Sequence, residues 1–517
     1  MGYKSITLKV TTLYDEEILR KQIAGSLRIR KFTYQIESKS LDARNKGNIH
    51  WLMKIGVDSE EIKDGRKPVH DTLVIPEFKG KQEVVVTGSG PAGFFCALVM
   101  QKAGFSTTLI DRGSEVHKRN NAIQNFERDG IFDLQNNYAF GEGGAGTFSD
   151  GKLTSRSKHI SKERDFILSG YIAAGAPAEI AWLAHPHLGT DNLKKIVKNL
   201  RQNFLDIGGK VLFETMLEDI MVKDGVITEA ITSAGSLRAD ALFIAPGHSA
   251  FETYRMLIRR GVGFRTKNFA IGSRMEHRQE VINQIQWGKP RLPGVKAAEY
   301  RISSRADGKH QVYSFCMCPG GMVVPATAYA NTNIVNGMSY YSRNGYYANA
   351  ACVAGIHPDE LAGKEVSPEE ALDYLEELEH QFYLYAQGYE APSCSIKDFI
   401  SSRIRDTSLK SSYPLGLKNA PLWEMLPSSV SGSIRTALKE FTGKMRGFDS
   451  GNLIGLESKT SSPIQVIRED GGLCAGFANL FVIGEGSGYA GGIISSAADG
   501  VKSAMHYATQ QTNSSNL

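Results

Sequence analysis

The segment EVVVTGSGPAG (83–93) restricts the fold of this chain more than any other stretch. Its short unbroken apolar run suits a strand buried on both faces, and the PAGFFCALVMQKAG that follows reads as a helix ended by Gly104. A second strand, STTLIDR, completes a βαβ unit, and a right-handed crossover makes its two strands parallel neighbours. Each residue of the turn has a physical task. Gly88 permits the tight bend and Gly90 lets a pyrophosphate approach bare backbone. Gly93 lets helix pack on strand, and Pro91 and Ala92 open a helix whose N-terminus attracts phosphate. Asp111, with 17 residues between it and Gly93, ends the second strand beside Arg112, where an acid accepts hydrogen bonds from a ribose. The reading is a dinucleotide site.

Two further glycine clusters narrow the ligand. Gly makes up 53 of 517 residues, about 10% against a usual ~7%. In FGEGGAGTFSDGK (140–152) four glycines fall within six positions, which disfavours helix or strand and suits a loop pressed on a large flat ligand. Gly143, Gly144, Ala145 and Gly146 would approach it, with Thr147, Ser149, Asp150 and Lys152 as polar contacts. Near the C-terminus the strand NLFVIGEG delivers Gly484-Glu485-Gly486, and Gly491-Gly492-Ile493-Ile494 opens a final helix. That arrangement resembles the closing motif of FAD oxidoreductases, in which an acid holds the ribityl chain and a helix N-terminus faces the flavin. A third buried strand, ALFIAPG (241–247), brings Ala245 and Gly247 to the same sheet.

Together with HPHLGTDNL (185–193), FAIGSRMEHRQ (269–279), SFCMCPGG (314–321), NGMS (336–339) and ESKTSSP (457–463), these segments resemble the uncharacterised FAD-dependent dehydrogenase family. Its members are flavoproteins related to glutathione-reductase-type and geranylgeranyl-reductase-like FAD folds. The resemblance covers nearly the whole chain and implies FAD, with Leu217 among the residues beside it, but brings no substrate. The sequence departs from the family pattern at Arg278, where Pro is usual, and at Lys459, where Arg is usual. The expected fold class is α/β. A discontinuous Rossmann-like FAD-binding domain (79–264 and 471–517) would be interrupted by a mixed α+β substrate domain (265–470) and preceded by a small α+β unit (1–78). The helix TDNLKKIVKNLRQNFLDIGG carries a stripe of Leu193, Ile196, Val197, Leu200 and Phe204 and is expected to pack on the sheet.

Flavin chemistry often needs a side chain that moves a proton near the reacting centre. Arg274, Glu276 and His277 alternate on a predicted strand, with Arg274 a candidate to position an anion and His277 a candidate catalytic group. Cys316 and Cys318 share one face of a strand, with Tyr313, Phe315 and Met317 on the other. They read either as a redox pair or as inert buried thiols, and the lone CxC lacks the second cysteine pair of a zinc site, so no metal site is expected. His185 and His187 lie on a loop that faces either cofactor or solvent. The strands KAAEYRIS and KHQVYSFCM, a turn at Pro319-Gly-Gly and a helix from Pro368, capped by Ser367 and Glu370 and ended by Gly388, complete the insert.

Only one strand-GxGxxG-helix fingerprint is present. A small-molecule substrate is therefore expected over the flavin, and NAD(P)H, as a transient reductant, would use that same face. The expected function is an FAD-dependent oxidoreductase or dehydrogenase. Arg20 to Lys54 holds nine basic against two acidic residues, interleaved with Phe32, Tyr34 and Trp51. That patch leaves an RNA-associated flavoprotein as the alternative, against a merely solvated basic face. No charge-free apolar run of membrane-spanning length occurs, the opening MGYKSITLKV carries no targeting signal, and six scattered cysteines read as reduced, so the expected location is cytoplasmic.

Overall fold

The computed structural model describes residues 2–69, 71–305, 307–405 and 408–515. Strands β1 (Gly2–Val10), β2 (Thr33–Asp42) and β3 (His50–Ser59) form an antiparallel sheet in the order β1-β3-β2, joined by helix α1 (Glu16–Leu27). Its core gathers Val10, Leu19, Ile23, Met53, Ile55 and Val57. The basic patch is partly engaged within this unit. Arg20 lies over the rings of Phe32 and Tyr34 at 5.4 and 5.5 Å, and Lys39 over Tyr14 and Trp51 at 4.9 and 4.4 Å. The aromatic rings that base stacking would need already carry the cations of their own surface.

A five-stranded parallel sheet follows. β4 (Glu83–Thr87), β5 (Ser106–Ile110) and β6 (Lys210–Leu212) are joined by the strands Ala241–Ile244 and Leu480–Val482, which add in turn on the free edge of β4. Helix α2 (Pro91–Lys102) is buried from Ala92 to Met100 on every side. It lies between this sheet and the helix Ile493–Ser515, which explains why its sequence has no polar face. Gly93 makes the close packing possible: a Cβ there would fall 1.9 Å from the Gly88 carbonyl oxygen. Helix α5 (Gly189–Asp206) packs beside β6 with α3 (Val116–Asp129) and α4 (Ser161–Ala173) against it, and α5 buries the predicted stripe from Leu193 to Phe204.

The 141–146 loop is held from below by one side chain. Arg119, on α3, is fully buried and donates to the carbonyls of Asn137, Tyr138, Gly141, Glu142 and Gly144 at 2.8–3.2 Å. Burial lowers its pKa to about 10, so it stays charged at neutral pH.

Phe269–Arg278, Val312–Pro325, Tyr347–Ile356 and Asn452–Glu457 belong to a second, eight-stranded sheet. Two expectations fail here. KAAEYRIS (296–303) is irregular up to its last residue, Ser303, which with Ser304 forms a two-residue strand paired with Val312 and Tyr313. Pro319-Gly-Gly is not a turn but lies inside Val312–Pro325. Neighbouring strands keep that segment extended, and bulges at Phe315/Cys318 and Cys318/Gly321 absorb the mismatch. The capping box of Ser367 and Glu370 is present on the helix Pro368–Ala386, but Gln387 at φ 57, rather than Gly388, provides its left-handed cap. Among the described residues no helix is long and apolar enough to cross a membrane.

Gly93→Ala should destabilise the protein by about 3 kcal/mol or more, because the clash is with backbone. Gly432→Ala, on the open face of the helix Ser428–Lys444 with nothing within 4 Å of the new Cβ, should gain about 0.5–1 kcal/mol; denaturant unfolding of both variants checks the pair. Arg119→Met strands five buried carbonyls and should cost about 3–5 kcal/mol in the same assay, with Arg119→Lys recovering part of the loss through its three donors.

Candidate functional site

The carboxyl ends of the parallel strands open into a cleft enclosing about 1570 Å³ of atom-free space, its mouth included. This is the edge at which open α/β sheets take ligands. One side is the Gly88–Ala92 turn. It is set by Asp111, whose Oδ2 accepts from the Ser89 N–H and hydroxyl at 2.8 and 2.6 Å and whose Oδ1 accepts from the Gly113 N–H at 2.9 Å. Asp111 therefore shapes the turn as well as lining the cleft. Arg112 pairs with Glu252 and lies 4.0 Å over the Phe140 ring. Above the turn, Gly144 comes so close to Gly90 that a Cβ on Gly144 would fall 2.9 Å from the Gly90 Cα. Ala145, Gly146, Ser149 and Lys152 continue that wall, Leu217, Ala245 and Gly247 form the floor, and Glu485, Gly492 and Ile493 close the end.

The fit to a large polar ligand has direct signs. Arg112 Nε and His248 Nε2 are buried in this wall with no protein partner, an arrangement that costs free energy unless a ligand satisfies it. Helix α2 begins at Gly90 with no side chain capping it, so its N-terminal donors are unclaimed by side chains. These features suit the pyrophosphate and ribose oxygens of a dinucleotide.

Seven residues expected to touch the cofactor do not line the cleft. Gly93 packs on Gly88, and Gly143 lies under the loop against Val197. Thr147 is buried, its hydroxyl donating to the Glu142 carbonyl and its own carbonyl accepting from Thr190. Gly484 donates to Asp499 at 2.7 Å, Gly491 is tied to Ser495, and Ile494 is in the core. Asp150 is likewise turned inward: it is fully buried and accepts from Arg343 at 2.5 and 3.0 Å. Burial alone would raise its pKa, but Arg343 and Lys152 hold it down to about 2. The sequence shows that this loop must be glycine-rich; which of its residues face outward depends on partners on α5 and in the 339–343 segment.

Of the catalytic candidates only Cys316 reaches the cleft. Arg274 is fully buried and donates to Asn349, Asn336, Glu457 and the Cys316 carbonyl at 2.7–3.1 Å, so it supports the wall rather than meeting an external anion. Its neighbour Glu457 is pushed by burial up to about 7 despite that contact. His277 is buried against Phe448, donates Nε2–H to its carbonyl at 2.7 Å, and is held near pKa 4 by desolvation. Glu276 accepts from Ser412 on the other face of the strand. Cys318 is buried behind Cys316. His185 sits outside the cleft beside Glu299, and His187 packs on Tyr341. The bulge breaks the alternation assumed for this strand: Met317 is buried, whereas Phe315 is 36% exposed and lines the cleft.

Asn336 of the second sheet and Lys459 and Thr460, just after its strand Asn452–Glu457, line the cleft as well. Lys459 pairs with Glu379 at 2.7 Å and lies 3.8 Å over the Phe251 ring. Asn336 and Thr460 fall in the NGMS and ESKTSSP motifs, which therefore mark the wall. Phe315, Arg119 and His248 had no separate sequence signal.

Residues 268–460 match the family described as FAD-dependent protein, C-terminal domain-like. An uncharacterised protein of Clostridium beijerinckii is 38% identical over 515 residues, covering 95% of this chain and 96% of that protein. Distant likenesses include a flavoprotein/dehydrogenase from Cytophaga hutchinsonii, 12% identical over 84% of this chain and 79% of that one, with a TM-score of 0.36. A geranylgeranyl bacteriochlorophyll reductase-like protein from Thermoplasma acidophilum is 13% identical over 84% and 80%, with a TM-score of 0.35. The matched C-terminal region contributes the wall of Phe315, Cys316, Asn336 and Lys459 opposite the glycine fingerprint, and FAD is the cofactor these findings support. The chain belongs to the family of FAD-dependent proteins that carry this C-terminal domain, with the Clostridium beijerinckii protein as a near full-length relative.

Proposed function

We propose that the protein is an FAD-dependent oxidoreductase acting on a small molecule bound between the cofactor and the second sheet. The observation that carries this reading is the two-sided cleft, with dinucleotide-holding turns on one side and Phe315, Cys316 and Asn336 facing in from the other. Gly88, Gly90, Pro91, Ala92, Asp111 and Arg112 would hold the adenosine and pyrophosphate. Gly144, Ala145, Gly146, Ser149, Lys152, Glu485, Gly492 and Ile493 would hold the flavin half, with Leu217, Ala245 and Gly247 beneath.

When bound, the flavin supplies hydride chemistry. The chain's own part is electrostatic and steric. The N-terminus of the helix Ile493–Ser515 and the Lys152 ammonium bring positive charge to the flavin end. Phe315 covers the cleft with an apolar ring that excludes water, and Asn336 offers an amide to a polar substrate. Residues 79–264 and 471–517 would form the FAD-binding body and 265–470 its cover. With a single fingerprint, a nicotinamide reductant would enter over the same face as the substrate.

Anaerobic titration of the FAD-loaded protein with NADH, NADPH and organic donors should bleach the oxidised flavin band; persistence of the band with every donor would remove the oxidoreductase reading. Gly90→Val, which fills the gap facing Gly144, should lower FAD affinity at least about 100-fold, roughly 2.7 kcal/mol, in equilibrium binding. Phe315→Ala should raise KM for a bleaching donor more than it lowers kcat, as expected for lost binding surface.

A further inference from the structure

Cys316 and Cys318 lie where the alternation of their strand fails. Between Phe315, opposite Ala351, and Cys318, opposite Asn349, the strand Val312–Pro325 gains one residue over its partner. Cys316 sits in this bulge at φ +42, a left-handed conformation that costs a non-glycine residue about 1–3 kcal/mol and tends to persist at functional sites. The bulge puts Cys316 in the cleft wall with Cys318 directly behind, its Sγ 3.4 Å from the Cys316 carbonyl oxygen. Residues two apart span at most about 7 Å, which borders the Cα separations a disulfide bridges, and the two thiols lie within hydrogen-bond reach of each other.

The surroundings favour a thiolate on the cleft side. Arg274 Nη2 donates to the Cys316 carbonyl at 2.7 Å and reaches Cys318 Sγ at 3.6 Å, while Glu457, Asn336 and Asn349 hold the guanidinium in place. A hydrogen bond from the Cys318 thiol holds Cys316 well below the usual thiol range. The nearby Lys152 and Arg274 charges act in the same direction, and together they outweigh burial. Cys318 is pushed up in turn. Cys96, Cys352, Cys394 and Cys474 are buried and line no part of the cleft, and burial raises their thiols.

We propose that Cys316 and Cys318 are a dithiol that exchanges one electron pair with the bound flavin, Cys316 as the cleft-side thiolate and Cys318 as its resolving partner. The proposal rests on the FAD-dependent reading above. In the oxidising direction the Cys316 thiolate and Cys318 thiol form an S–S bond, releasing two electrons and one proton, and all three pass to oxidised FAD to give its reduced anion. In the reverse direction the S–S bond breaks, Cys316 leaves as thiolate and Cys318 takes the proton. Arg274 is a positioning residue, acting through the Cys316 carbonyl and the Cys318 sulfur.

Reductive titration distinguishes the dithiol from inert cysteines. Air-oxidised, FAD-loaded protein titrated anaerobically with dithionite should take up four electrons per FAD, two for the flavin and two for the disulfide. Cys316→Ser and Cys318→Ser, each still binding FAD, should take up two. Alkylation and mass spectrometry of the air-oxidised wild type should find residues 316 and 318 blocked together as a disulfide and freed by reduction, a readout that needs no variant to fold. Uptake of two electrons per FAD by the wild type, with both thiols alkylated before reduction, would overturn the dithiol while leaving the flavoprotein reading intact. Failure to bind FAD would instead overturn the reading on which the proposal stands.

Discussion

A fully buried guanidinium organises the wall that faces the dinucleotide turns. In a low-dielectric interior Arg274 is tolerable only with its donors and charge matched. It is matched by residues from four distant segments: Glu457, Asn336, Asn349 and the carbonyl of Cys316. Meeting that demand brings the strands Phe269–Arg278, Tyr347–Ile356 and Asn452–Glu457 together with the bulged Val312–Pro325. Gly337 follows from the same packing, since a Cβ there would lie 2.4 Å from Arg274 Nη2. The bulge at Cys316 is thus held by a charge beneath it, and its orientation toward the cleft is a consequence.

The opposite wall rests on steric contact between backbones. Gly90 and Gly144 meet with no side chain between them, so the turn after β4 and the 141–146 loop form one continuous surface of amides. Neither loop holds that shape alone. Asp111 ties down the first through Ser89, and Arg119 threads the carbonyls of the second. Two walls built on different physics, packed backbone on one side and a buried charge network on the other, leave a cleft that a flat, polar cofactor and a small substrate can share.

Legibility in the sequence followed how local each constraint is. The turn at Gly88–Gly93, the helix stripe from Leu193 to Phe204 and the capping box at Ser367 depend on neighbours within a few residues, and their patterns identify them. Arg274 and Asp150 were visible as chemistry-bearing residues, but their partners come from segments far along the chain, so their burial was not. The same holds for His277, whose partner Phe448 lies 171 residues along the chain. A regular strand would turn Phe315 away from the face of Cys316, and one inserted residue brings both to the cleft.

The family resemblance implies that the C-terminal glycines close the site; by itself the sequence determined that a parallel βαβ unit with a tight glycine turn must form and that the 141–146 segment must be a glycine-rich loop. These follow from backbone sterics and hydrophobic periodicity, which act over short range. Only the tertiary structure decided which side chains face the cleft. That depends on where buried charges find partners and where a strand slips register, and both are settled by contacts between residues tens to well over a hundred positions apart.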